Sequence, residues 1–140
     1  MTKITGFTAG AFDLLHAGHV LMLEEASSRC DYLLVGLQTD PSVDRPTKNA
    51  PVQSLEERLI QLKAVRYVDE VVIYETEADL LLLLEKHDIN VRVIGADYIG
   101  KDFTGKDLCI NKGIEIYHNS RSHSYSTTEL RQRVIAASSA

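Results

Sequence analysis

Two imidazoles stand three residues apart around a glycine in the run Gly10-Ala11-Phe12-Asp13-Leu14-Leu15-His16-Ala17-Gly18-His19. Imidazole N–H groups suit donation to phosphate oxygens, where negative charge builds up during a transfer at phosphorus. Gly18 leaves no side chain to hold a phosphate away from the backbone. Far along the chain, Ser126 and Thr127 bring two hydroxyls to the start of a helical pattern, where amide N–H groups are also unpaired. Ser126 is equally suited to capping that helix. The residues predict a phosphate site built from two helix starts, with no activated nucleophile in evidence.

These residues need elements to position them. Strand-like apolar runs occur at Ile4–Ala9, Tyr32–Gln38, Val68–Tyr74, Val91–Ile94 and Ile114–Tyr117. The second is almost continuously apolar, as expected of a strand covered on both faces. Helical patterns lie between them. One follows His19 with Val20, Leu23 and Ala26, and another opens at the capping box Ser54-Leu55-Glu56-Glu57. A third begins at Thr76-Glu77-Ala78-Asp79, and the last at Ser126-Thr127-Thr128-Glu129 with Leu130 and Val134 on one face. Alternating strands and helices predict a single α/β domain over residues 1–140, a Rossmann-like doubly wound parallel sheet of about five strands flanked by helices. Ligands in such sheets sit beyond the carboxyl ends of the strands, where His16–His19 falls. Two long loops, Thr39–Gln53 with Arg45 and Lys48, and Ala96–Lys106 with Asp97 and Tyr98, are further candidates for function.

The remaining composition narrows the field. A formal charge of −5 argues against a general nucleic-acid binder. The N-terminal residues lack a secretory pattern, and the longest apolar run, Leu80–Leu84, is too short for a bilayer, so a cytoplasmic protein without a membrane is expected. Cys30 and Cys109 lack metal-ligand spacing, and no protein metal ligands are assigned. Gly95–Asp102 and Gly100–Asp107 mimic P-loop spacing, but each ends in aspartate where a hydroxyl should meet Mg²⁺.

Four segments carry a family resemblance. Gly10–His19 resembles the His-x-Gly-His signature of the nucleotidyltransferase superfamily. Arg66-Tyr67-Val68-Asp69-Glu70-Val71, Gly95-Ala96-Asp97-Tyr98 and Arg121–Thr128 are similar to segments of its glycerol-3-phosphate cytidylyltransferase branch. The resemblance implies attack of a substrate phosphate on the α-phosphorus of CTP, release of pyrophosphate, Mg²⁺ as counter-ion and a homodimer. It implies catalytic roles for His16, His19, Lys48 and Arg121. Nucleotide contacts are implied at Ala9, Gly10, Ala11, Phe12, Asp13, His16, Gly18, His19, Asp97, Arg121, Ser126, Thr127 and Thr128. Lys48, Arg58 and Arg66 are implied at the substrate. Asp13 can alternatively fix its turn, Arg58 and Arg66 can pair with neighbouring acids or lie at a subunit interface, and Arg45 reads as an ordinary surface charge.

The chain departs from that branch at Ala11, Ala96, Tyr98, Ser124 and Tyr125, which leaves the acceptor and the base open. The first expectation is CMP transfer to a small phosphate ester such as glycerol 3-phosphate. The alternative is an adenylyltransferase using ATP and a sugar phosphate of the heptose type, whose character Pro51–Arg58 shares. A third is a nucleotide-binding module without catalysis.

Overall fold

A computed structural model describes residues 3–120 and 123–138. Five strands, β1 (Thr5–Gly10), β2 (Tyr32–Gln38), β3 (Glu70–Tyr74), β4 (Val91–Gly95) and β5 (Glu115–Asn119), form one parallel sheet in the order β3-β2-β1-β4-β5. The crossovers are helices, as parallel neighbours require. On one face α1 (Ala17–Ser27) and α3 (Leu55–Lys63) pack Leu23, Ala26 and Leu62 against Leu33, Val35 and Leu37. On the other, α4 (Glu77–Lys86) and α5 (Lys106–Lys112) pack Leu80, Leu84 and Cys109 against Phe7 and Leu34. Alternate residues of β2 thus feed opposite cores, which is why that strand is apolar almost throughout. No helix of the described residues is long and apolar enough to cross a membrane.

The capping boxes form as the sequence predicts: Ser54 with Glu57, and Thr76 with Asp79. Strand β3 starts at Glu70 rather than Val68, because Val68 is still in a turn and the Asp69 carboxylate accepts from the Leu33 N–H before pairing begins. Two short helices were not expected. Helix α2 (Pro41–Asp44) lies in the first long loop and is capped by Asp40 with proline at its first position. Helix α5 is bounded by Gly105 and Gly113, both left-handed. Helix α6 (Thr127–Ser138) differs from expectation in packing: none of its described residues is buried, and Val134 is 59% exposed.

Candidate active site

The sheet itself opens the site. Strands β1 and β2 pair over six positions, whereas β1 and β4 pair only at Gly6–Val91 and Phe7–Arg92. Their connections depart to opposite faces at this point, which is the switch in strand order. Beyond Arg92 the two carboxyl ends part around a cleft of about 680 Å³. Such a crevice is where an open α/β sheet binds ligands.

His16 and His19 stand on its rim at the start of α1. The Gly18 N–H donates to His16 Nδ1 at 3.0 Å, and the His16 N–H donates to His19 Nδ1 at 3.2 Å. Each imidazole therefore caps the helix through a deprotonated Nδ1, and each neutral ring carries its proton on Nε2. The two rings lie 4.0 Å apart, with Phe12 packed against His19 at 5.6 Å. Burial, assisted by His16 and opposed by Asp13, lowers the His19 pKa to about 4. His19 is thus a neutral N–H donor at ordinary pH, with no role as a general acid. Gly18 is required by the cap itself: a Cβ there would lie 2.8 Å from His16 Cε1 and 3.1 Å from His123 Cε1.

Helix α6 brings the second helix start. His16 Nε2 lies 3.1 Å from Thr127 Oγ1, so the two helix starts face one another. Ser126 accepts from the Glu129 N–H at 3.1 Å, so its hydroxyl caps its own helix while the residue still lines the cleft. Asp13 lies beneath this junction. It accepts from the Val52 and Gln53 N–H groups at 2.8 and 2.9 Å and pairs with Arg131 at 3.0 Å. Burial works to raise its pKa, but those donors outweigh it and hold the carboxyl below its ordinary range.

The half of the cleft on the α4–α5 face is polar in a different way. Glu77 accepts from Thr104 Oγ1 at 3.0 Å and lies 3.4 Å from Arg45 Nε. Gln38 receives Arg45 Nη2 at 3.3 Å through Oε1. Arg92, 5% exposed, rises from β4 beside them.

The expected residues divide accordingly. His16, Gly18, His19, Lys48, Asp97, Ser126 and Thr127 line the cleft, as do Ala9, Gly10 and Ala11. Phe12, Asp13 and Thr128 do not: Phe12 is core, Asp13 ties loops together, and Thr128 is exposed. Arg58 is 2% exposed and spends its guanidinium on the carbonyls of Ala11, Gln38, Thr39 and Gln53. That placement corrects the expectation of a substrate contact, since the carbonyl partners account for the buried charge. Arg66 is exposed, stacks over Tyr67 and lies away from the cleft. Arg121 lies outside the described residues. Conversely, Arg45 does face the cleft, and Gln38, Glu77, Arg92 and Thr104 were not foreseen. Asp40 and Pro41, which start α2 and turn Arg45 inward, were the available signal for the first of these.

A parallel sheet with two facing helix starts and paired neutral imidazoles at its switch point defines a phosphate-handling, nucleotide-binding α/β domain. The cytidylyltransferase-like family matches residues 7–133, and the chain belongs to that family. It is a nucleotidyltransferase. It is 39% identical over 132 residues to the bifunctional protein HldE of Caulobacter vibrioides, covering 92% of this chain and 27% of that protein. The HldE of Nitrobacter hamburgensis is 40% identical over 129 residues, covering 91% and 26%. The chain thus spans about a quarter of the length of these curated relatives. Among solved structures, the lipopolysaccharide core biosynthesis protein of Thermoplasma volcanium superposes with a TM-score of 0.73 at 25% identity, over 87% of this chain and all of that one.

Proposed function

We propose that this domain transfers an adenylyl group from ATP to a sugar phosphate of the heptose type, rather than a cytidylyl group to glycerol 3-phosphate. The observation that carries nucleotidyl transfer is the pair of neutral imidazoles fixed at one helix start and facing Thr127 at another. The choice of substrates rests on similarity. Pro51–Arg58 has the heptose-branch character, and the quoted relatives are HldE proteins. The solved relative is a lipopolysaccharide core biosynthesis protein, and assembling a saccharide uses sugars activated as nucleotide esters.

The chemistry needs little from the protein beyond placement and charge. An acceptor phosphate has its second pKa near 6, so it is already a dianion and requires no general base. Its oxygen attacks the α-phosphorus in line, the bond to the β-phosphate bridge oxygen breaks, and pyrophosphate leaves with the electron pair. The His19 Nε2–H, the start of α1 and Lys48 can stabilise the charge that accumulates on the phosphate oxygens. Thr127 and the first amides of α6 face the same space. Arg121 is proposed to hold the nucleotide. Among the described residues no group of three His, Cys, Asp or Glu is arranged to hold a metal ion. Mg²⁺ is commonly held by substrate phosphates and water with few protein ligands, and the ion is expected to arrive on the triphosphate. A homodimer in the cytoplasm completes the reading, the former tested by ultracentrifugation.

The deciding experiment is a pyrophosphate-release assay with the four nucleoside triphosphates against sugar 1-phosphates and glycerol 3-phosphate. ATP with a sugar phosphate should give the highest kcat/KM. Preference for CTP with glycerol 3-phosphate would restore the other reading, which Arg66–Val71 and Asp97–Tyr98 favour. Tight nucleotide binding with no turnover would indicate a binding module.

A further inference from the structure

The Arg92 side chain is a buried cation that closes no ion pair with a carboxylate of the described residues. It replaces an apolar residue where one is expected, inside a parallel strand between Val91 and Val93, both of them buried. Nη1 donates to the Thr104 carbonyl, the guanidinium lies 4.9 Å from the Phe103 ring centroid, and the Cys109 thiol and the Tyr74 side chain are also near it. Among the described residues it makes no ion pair. The nearby carboxylate, Glu77, is committed to Arg45 and Thr104, and Asp102 on the cleft wall is exposed. Burying a guanidinium on neutral partners alone is costly, and burial accordingly pushes its pKa down. A group retained at such a cost, at the wall of a ligand cleft, calls for an anion.

Its position says which ligand brings that anion. Arg92 faces the same side as Phe7, towards α4 and α5, whereas His16, His19 and Met22 belong to α1 on the opposite face. The phosphate-facing helix starts therefore sit on one side of the sheet end, and the Arg92 pocket opens on the other. A second substrate approaching the α-phosphorus in line from the nucleotide's far side enters through this half.

Resting on the nucleotidyl-transfer reading above, we propose that Arg92 is the anion-binding residue of the acceptor pocket. It binds a phosphate or carboxylate oxygen of the acceptor, while Glu77 and Gln38 beside it hold Arg45 and Thr104 in the wall of the pocket. Arg92 is thereby a specificity-determining residue: it selects an acidic acceptor over a neutral or cationic one. Gly105 is part of this arrangement. Its φ of +85° and the 3.0 Å that would separate a Cβ from Arg92 Nη1 let the loop before α5 close over the guanidinium.

The test uses the whole chain saturated with α,β-methylene ATP, which fills the triphosphate site without turnover, and measures inorganic sulfate binding by calorimetry. Wild type should bind sulfate at one further site, and Arg92→Met should bind it at least tenfold more weakly, with Arg92→Lys in between. Titrations with glucose 1-phosphate and glucuronate identify the source of the anion, by whichever shows the dependence on Arg92. Nucleotide affinity should stay within about twofold in every variant. Equal sulfate affinity in wild type and a folded Arg92→Met, or no sulfate binding to wild type, overturns the proposal. Should the methionine variant fail to fold, Arg92→Lys and Arg92→Gln carry the same comparison. Failure of the reaction reading has a separate signature: Arg92-dependent sulfate binding without turnover of any triphosphate.

Discussion

Replacing His19 with glutamine should flatten the acid side of the stability profile. The folded chain holds this imidazole neutral down to a pKa of about 4, through burial first and the neighbouring His16 second. In the unfolded chain the same group takes up its proton near 6.5. Between those values the unfolded state binds more protons, so stability must fall as the pH falls. Integrated from pH 7.5 to 5.0, the loss is about 2 kcal/mol. For a domain of this size that is roughly 6 °C in Tm. Asp13 leaves the window clear. Its pKa lies below the ordinary 3.8, so its contribution is intact above that pH and is lost only on further acidification. Glutamine keeps an oxygen to accept the His16 N–H and an N–H donor, but does not titrate. Urea unfolding followed by circular dichroism at both pH values, in wild type and His19→Gln, gives the difference directly, and comparing the two proteins cancels the histidines outside the His16–His19 pair. Parallel losses in the two proteins would refute the neutral, buried state assigned to His19.

Alanine at His16 or at His19 should lower kcat by about 10²–10³ while the native circular dichroism spectrum persists, because each removes a donor to developing charge; near-normal pyrophosphate release in either variant contradicts that role. Gly18→Ala should reduce kcat by about tenfold or more through displacement of the His16 ring, seen as a fall in turnover larger than the fall in Tm. Arg58→Met should cost about 3 kcal/mol in urea unfolding, since four carbonyls lose a charged donor. A selective rise in acceptor KM at unchanged stability would instead put Arg58 at the substrate.

Local signals made much of this fold legible. The β2 sequence Tyr-Leu-Leu-Val-Gly-Leu-Gln is apolar on both faces, and the pairs Ser54/Glu57 and Thr76/Asp79 fix two helix starts within four residues of chain. The His16–His19 cap is also local, and its spacing carried the site. What the sequence did not reveal depends on contacts across the sheet. Arg58 and Arg66 look alike in a helical pattern, yet one is sealed among carbonyls at the end of β2 and the other is exposed on Tyr67. Arg45 reads as surface charge until α2 folds and brings it to Glu77, 32 residues later in the chain. Arg92 is local in the sequence but its partners are not: a charge between two valines in a buried strand is costly, and the Thr104 carbonyl and Phe103 ring that surround it come from the loop before α5.

The loop between β1 and α1 shows how such distant contacts define the phosphate site. Phe12 and Leu14 adopt φ values of 50° and 52°, a left-handed conformation that costs a non-glycine residue roughly 1 kcal/mol or more. Neither residue would hold that shape alone. The Asp13 carboxylate between them is bound by two backbone N–H groups of the loop before α3, the Leu14 N–H donates to Gln53 Oε1 at 2.8 Å, and Arg58 holds the Ala11 carbonyl at 3.0 Å. The same carboxylate takes Arg131 from α6, a helix that has no buried described residue to anchor it. One buried acid thus positions both helix starts, because the loop it shapes ends at His16 and the helix it tethers begins at Thr127. The separation of those two starts, spanned by the 3.1 Å contact from His16 Nε2 to Thr127 Oγ1, is set by the protein before any phosphate arrives. Donors placed in advance of the charge they stabilise need no rearrangement during the reaction, and the backbone strain beside Asp13 is offset by that network.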